Sequence, residues 1–214
     1  ENTRLVYDII KHLEKKNKPG MLMLIDFEKA FDSVEWGYID QVLSAYNFGK
    51  NWFRTLYKEA QSCVINGGHF SPFFDLGRGC RQGDPLSPYI FILAVEPLAM
   101  AIKTSKNIKG IKVKDKIYNI GQYADDTFTL LDGSEESLRE TLNLLSRFHK
   151  CSGLKTNVDK TRVVWLGSCK NSPEKLCPHV KLKWDKSFKL LGIQFHVNME
   201  NMIDLNYTSR IGKI

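Results

Sequence analysis

Tyr123-Ala124-Asp125-Asp126 lies between Ile117-Tyr118-Asn119-Ile120-Gly121-Gln122 and Thr127-Phe128-Thr129-Leu130-Leu131, two adjacent acids between two β-prone runs. The pattern reads as a β-hairpin with the acids at its tip. Consecutive strand residues point to opposite faces, so on a straight strand Asp125 and Asp126 could not serve one site. A tight turn removes that limit and brings the carboxylates together, where their charge is tolerable beside a bound metal or in water. The tetrapeptide by itself fits a solvated turn equally well, because Asp is a common turn residue.

A second acid closes a very different stretch. Met21-Leu22-Met23-Leu24-Ile25 is a continuous apolar run, the pattern of a strand buried on both faces, and it ends on Asp26. An ionised Asp there is costly unless it reaches water, a partner or a metal. Asp32 reads differently: it precedes Glu35 by three residues and stands ahead of Val34, Ile39, Val42, Leu43 and Tyr46, the arrangement of an N-cap with a capping box.

Arg78-Gly79-Cys80-Arg81-Gln82-Gly83-Asp84-Pro85-Leu86-Ser87-Pro88 is the next informative stretch. Its glycines permit close backbone approach to a ligand, its arginines and glutamine offer donors, and a helix follows. Such a basic loop at a helix start suits phosphate or a nucleic-acid backbone, and the plain alternative is a well-capped turn.

Periodicity predicts a helix over Arg4–Lys16, a helix over Asn51–Gln61, and a strand pair at Cys63–Asn66 and Phe73–Leu76 joined through Gly67-Gly68. It also predicts a buried helix from about Pro88 to Ser105, kinked at Pro97, and a helix after Ser134 with a stripe of Leu138, Leu142, Leu145 and Phe148. Strands are expected at Thr161–Leu166 and at Leu190–Phe195, with a polar excursion over Ser168–Ser187.

The 214 residues are enough for one domain with a sizeable core, and 43% hydrophobic and 26% charged residues are the balance of an ordinary soluble globular protein. The net charge of +7 is unevenly placed: residues 146–214 hold 13 Lys and Arg against 5 Asp and Glu, the asymmetry that a polyanion-binding surface needs. Cys63, Cys80, Cys151, Cys169 and Cys177 are scattered and odd in number, which argues for a reducing compartment and against a disulfide framework. Cys169, Cys177 and His179 fit no zinc-ligand spacing. The run Tyr89–Ala101 is too short to span a bilayer and contains Glu96, so no membrane partner is expected. A chain that opens on Glu1 reads as a fragment or processed piece.

Taken in order, Asp26-Phe27-Glu28-Lys29-Ala30-Phe31-Asp32, Arg81-Gln82-Gly83-Asp84-Pro85-Leu86-Ser87-Pro88, Tyr123-Ala124-Asp125-Asp126, Gly153-Leu154-Lys155-Thr156-Asn157 with Lys160-Thr161, and Leu191-Gly192-Ile193 resemble the successive blocks of reverse transcriptases, and most of all those of the non-LTR (LINE-type) retrotransposons. The resemblance runs from about residue 1 to 210. It implies an α+β fold: a polymerase palm, an antiparallel sheet backed by helices with a ferredoxin- or RRM-like core, carrying part of the fingers and lacking the thumb. Residues 1–20 would close the fingers, 21–195 would form the palm with finger-side helices within about 34–80, and 196–214 would begin an incomplete thumb or connection.

The same resemblance implies site roles. Asp26, Asp125 and Asp126 would hold two Mg²⁺ ions, for which Mn²⁺ substitutes, with Asp126 the third carboxylate. Phe31 would be the aromatic gate against a ribose 2′-hydroxyl, with a core phenylalanine as the alternative. Phe27, Arg81, Gln82, Gly83, Tyr123 and Ala124 would line the substrate site, Lys160 would donate a proton to pyrophosphate, and Leu191 and Gly192 would grip the primer. The implied function is RNA-directed DNA polymerisation in retrotransposition, with an RNA template, a DNA primer and dNTPs as partners and an intracellular, nuclear location. The alternative from another class is a catalytically silent nucleic-acid-binding palm remnant. Nucleotide-cyclase chemistry is disfavoured, since Phe31 and the Arg81–Pro85 block would have no use in it.

Overall fold

The computed structural model describes residues 1–49, 51–198 and 200–208. In chain order, helix α1 (Asn2–Lys16) leads into strand β1 (Pro19–Ile25), followed by helices α2 (Ala30–Ser33), α3 (Trp36–Ala45) and α4 (Trp52–Tyr57). Four short strands, β2 (Gln61–Ser62), β3 (Ile65–Asn66), β4 (His69–Phe70) and β5 (Phe74–Asp75), precede helix α5 (Ser87–Thr104). Then come β6 (Ile111–Val113), β7 (Lys116–Tyr118), β8 (Ile120–Tyr123), β9 (Asp126–Leu131), helix α6 (Glu135–Ser152) and β10 (Arg162–Gly167). The described chain closes with β11 (Lys183–Trp184), β12 (Ser187–Leu190), β13 (Ile193–His196), α7 (Asn201–Ile203) and a π-helical turn over Asp204–Thr208.

These elements form two compact units, one from Glu1–Phe27, Leu98–Ser146 and Thr156–Ile214, the other from Glu28–Pro97 and Arg147–Lys155. The first holds a five-stranded sheet in the order β11-β10-β1-β9-β8. Its central strand β1 runs antiparallel to both β10 and β9, with Leu22 opposite Val164 on one side and Leu130 on the other. Flanked on both edges, β1 is apolar throughout, as the run Met21–Ile25 requires.

Side-chain alternation then sorts the sheet into two faces. Leu22, Phe128, Leu130, Val164 and Leu166 share one face and join Val6, Ile9, Ile10 and Leu13 of α1 in a single buried cluster. Full burial of such side chains stabilises the fold by about 1.5–3 kcal/mol each. Helix α1 stops where Asn17 turns left-handed at φ 48°, its N–H donating to Glu14 O and that of Lys18 donating to Leu13 O. Because α1 buries its apolar stripe against the sheet, residues 1–20 fall in the same compact unit as β1. Of the expected terminal segment, residues 209–214 lie outside the described residues.

The second unit is helical, with Val34, Ile39, Val42, Leu43, Phe53, Ile90 and Phe91 buried. The expected single strand pair at 63–76 is two nested pairs: β2 with β5, and β3 with β4 around Gly67-Gly68. Helix α5 spans 18 residues and is long and apolar enough to cross a membrane by length and composition, with Pro97 inside it. It is not wholly buried, since Tyr89 and Ile92 are exposed.

Two further readings change. Leu190–Phe195 is not one strand but the hairpin β12–β13, in which Leu191 (φ 47°) and Gly192 (φ 83°) form a two-residue turn with both residues left-handed, the geometry that matches strand twist. Ile117 and Tyr118 belong to a separate hairpin, β6–β7, and the acidic hairpin is β8–β9 alone.

All five cysteines are free thiols; Cys80 and Cys177 are buried and Cys151 is exposed. Burial pushes the Cys80 thiol up to about 11. Iodoacetamide at neutral pH is therefore expected to alkylate Cys151 first and to leave Cys80 unmodified until the fold opens, as read by peptide mass mapping.

Candidate active site

In the sheet unit, Ala124 and Asp125 form the turn between β8 and β9, with Tyr123 paired to Asp126 across it. Ala124 sits left-handed at φ 52°, an uncommon conformation for a residue with a Cβ. Gly121 stands opposite Phe128, where a Cβ would come within 2.2 Å of the ring, so the glycine makes room for the ring two residues from the turn. The acids thus split. Asp125 occupies the turn, whereas Asp126 opens β9 in register with Phe128 and Leu130 and shares their face.

That register carries Asp126 into a cavity of about 280 Å³ lined by Leu24, Asp26, Asp126, Lys160 and Arg162, with the β12–β13 hairpin as its far wall. Asp125 does not line it. Asp26, directly after β1, is held through its backbone: its C=O accepts from Asn157 N–H at 2.8 Å, and its N–H donates to Thr161 Oγ1 at 3.4 Å. Asn157 and Thr161 therefore hold the end of β1 in place. Phe27, beside Asp26, is buried and bridges to Thr156, and it does not line this cavity. Tyr123 is 66% exposed and Ala124 lies in the turn; neither lines the cavity.

Partial desolvation raises the Asp126 carboxyl above the usual carboxylate range, and the charges of Asp125 and Asp26 raise it further. Asp126 therefore feels the charge of each of the other two acids. Among the described residues no three His, Cys, Asp or Glu side chains gather into a metal-ligand group. The donor set is nonetheless all hard carboxylate oxygen under mutual repulsion, which fits Mg²⁺, an ion that completes its shell with water and substrate oxygens.

A raised pKa means that folding disfavours ionised Asp126, a cost absent below the carboxylate range and incurred as pH rises through the folded pKa. Asp126→Asn is accordingly expected to melt above the wild type at neutral pH without Mg²⁺, and that advantage should shrink on acidification. Mg²⁺ should raise the wild-type melting temperature more than the variant's, all readable by scanning fluorimetry.

In the second unit, Phe31 is half-buried and stacks on the fully buried Phe91, with centroids 4.4 Å apart and planes 19° from parallel. Its ring is thus held rigid. Asp32 is not an N-cap: it lies within α2, and its Oδ1 accepts from Gln82 Nε2 at 3.0 Å. Glu35 is the N-cap of α3, without a side-chain cap bond, and its backbone N–H donates to Ser152 O at 2.8 Å. Arg81 lies over the Tyr57 ring, 5.0 Å from the centroid, and donates to Leu56 O at 3.1 Å. Asp32, Tyr57, Arg81 and Gln82 line a cavity of about 440 Å³. Gly83 follows them left-handed at φ 85°.

Sequence reasoning missed Asp32 as the partner of Gln82, and Arg162, Ser187 and Gln194 as walls of the acidic cavity. Only Arg162 carried a signal, two residues after Lys160 at the start of a strand.

A helix-backed, mostly antiparallel sheet with acids at the end of its central strand and in the neighbouring hairpin turn is a polymerase-palm-like fold. The chain belongs to the reverse transcriptase (RNA-dependent DNA polymerase) family, which it matches over residues 1–195. It is 29% identical over 214 residues to the Pol polyprotein from the type-2 retrotransposable element R2DM of Drosophila melanogaster, covering 91% of this chain and 19% of that protein. It is also 29% identical over 171 residues to the transposon TX1 uncharacterized 149 kDa protein of Xenopus laevis, covering 77% of this chain and 12% of the other. The chain spans about a fifth or less of the length of these relatives. Apo telomerase from Candida tropicalis superposes with a TM-score of 0.64 at 12% identity, covering 92% of this chain and 34% of that one, a likeness of fold.

Proposed function

We propose that this chain is the palm of an RNA-directed DNA polymerase of a non-LTR retrotransposon, extending a DNA primer on an RNA template with dNTPs. The observation that carries the reading is the cavity in which Asp26 and Asp126, under mutual repulsion, meet Lys160 and Arg162. Asp26 and Asp126, with Asp125 beside them, would hold the divalent cations. Two bound ions would supply activation of a primer 3′-hydroxyl and stabilisation of the leaving pyrophosphate.

The protein's own groups do the rest. Lys160 would give a proton to departing pyrophosphate, a role supported by its lining the same cavity. Phe31, braced by Phe91, excludes a ribose 2′-hydroxyl by steric clash. Asp32 fixes the Gln82 amide toward nucleotide or template, and Tyr57 holds Arg81 for phosphate. The left-handed Leu191-Gly192 turn presents backbone to the primer. Action in the nucleus goes with the retrotransposon reading and rests on family membership.

The test is extension of oligo(dT) on poly(rA) with Mg²⁺ and dTTP, with Asp26→Asn beside the wild type. Extension lost in the variant supports the reading. Salt-sensitive RNA binding indifferent to that substitution, without extension in a longer protein that contains this chain, would establish a silent binding palm.

A further inference from the structure

On the opposite face of β10 from α1, two indoles meet at the sheet edge. Trp165 follows Val163 by two residues, and Val163 pairs with Trp184 of the edge strand β11, which brings the rings to 5.1 Å between centroids and 34° from parallel. Trp165 is 7% exposed, and its Nε1–H donates to Glu174 O at 2.8 Å, so it is fixed. Trp184 is only half-buried. Both line a cavity of about 200 Å³ together with Lys170, Glu174, Lys175 and Lys186.

The charges around this cavity are unequal. Lys170 is held by Glu14 at 2.8 Å and Asn198 at 3.3 Å, and Asp185 by Arg162 at 2.6 Å, so each is neutralised. Lys175 and Lys186 line this cavity, are exposed, and form no ion pair among the described residues. Of the two carboxylates that line the cavity, Asp185 is paired with Arg162, and Glu174 has no ion pair among the described residues. A rigid aromatic platform with unpaired ammonium groups beside it is the chemistry that binds unpaired bases and their phosphates, and the cavity is too small for a duplex.

We propose that Trp184, backed by Trp165, and the ammonium groups of Lys175 and Lys186 bind a single-stranded nucleic-acid segment, one base against the indole and neighbouring phosphates on the lysines. The site lies outside the acidic cavity, and the inference takes from the polymerase reading only that the chain handles nucleic acid. It gives the Ser168–Ser187 excursion, rich in lysine, a use that the catalytic residues do not.

The test titrates the chain, without Mg²⁺ or dNTP, into a labelled single-stranded RNA 10-mer and an abasic strand of equal length, read by anisotropy. Lys175→Gln with Lys186→Gln is expected to weaken RNA binding about tenfold and to flatten the slope of log K against log salt by about 1.4. Trp184→Leu is expected to weaken RNA about tenfold while leaving the abasic strand unchanged. Wild-type affinity and slope in the lysine variant, or equal loss on both strands for Trp184→Leu, would overturn the proposal, as would polyglutamate competing as well as RNA. Primer extension by the same proteins separates the two readings. Wild-type extension with unchanged variant binding removes this site alone, and variant-sensitive binding without extension, also in a longer protein that contains this chain, removes the polymerase alone.

Discussion

Asp26→Asn is expected to lower primer extension by at least about a thousandfold, the kinetic equivalent of the several kcal/mol that metal-assisted charge stabilisation contributes. The substitution is nearly isosteric. The contacts that position Asp26, from Asn157 N–H to its carbonyl and from its own N–H to Thr161 Oγ1, are backbone contacts and survive it. The charge disappears, and with it one of the two neighbours that raise the Asp126 carboxyl. The variant should therefore melt at or above the wild-type temperature while losing extension in the gel assay. Equal loss of extension and of melting temperature would instead mean that Asp26 holds the fold, and near-wild-type extension would reject its catalytic role.

The largest stability effect is expected at Gly167, the last residue of β10. It pairs with Pro19 at the start of β1, at φ 61°, and a Cβ there would lie 2.0 Å from Lys18 O and 2.9 Å from Leu13 Cβ. The carbonyl cannot swing away, because it also accepts from Ser168 N–H at 3.0 Å. Gly167→Ala thus combines left-handed strain with a backbone clash where α1, β1 and β10 meet. Each is worth about 1–3 kcal/mol, so the variant should lose roughly 3 kcal/mol or more. For a chain of this size that lowers the melting temperature by about 6–12 °C. A melting curve unchanged within a degree would show that the junction can relax.

Several elements were legible in local pattern. Leu22 to Ile25 declared a doubly buried strand because apolar residues stood at consecutive positions, and β1 indeed lies between β9 and β10. The extent of α1, to Lys16, followed from apolar spacing. Local pattern failed where a distant residue competed for the same group. Asp32 has the sequence of a cap, yet its carboxylate is taken by Gln82, fifty residues away in the chain. Leu190–Phe195 has the composition of one strand, yet Gly192 and the left-handed Leu191 fold it back on itself.

The candidate site divides along the same line. The amino-acid sequence by itself determined which residue types are present and in what order: carboxylates after a buried strand and in a hairpin turn, a glutamine-glycine loop, and a basic last third. Those are properties of adjacent residues, and adjacency is written in the chain. The tertiary structure alone decided that Asp126, not Asp125, enters the cavity with Asp26, since that depends on the register of β9 against β1. It likewise decided that Trp165 and Trp184 meet, because the pairing of Val163 with Trp184 joins segments about twenty residues apart. Which side chains share a face is set by strand register, and register is fixed by burial across the whole sheet.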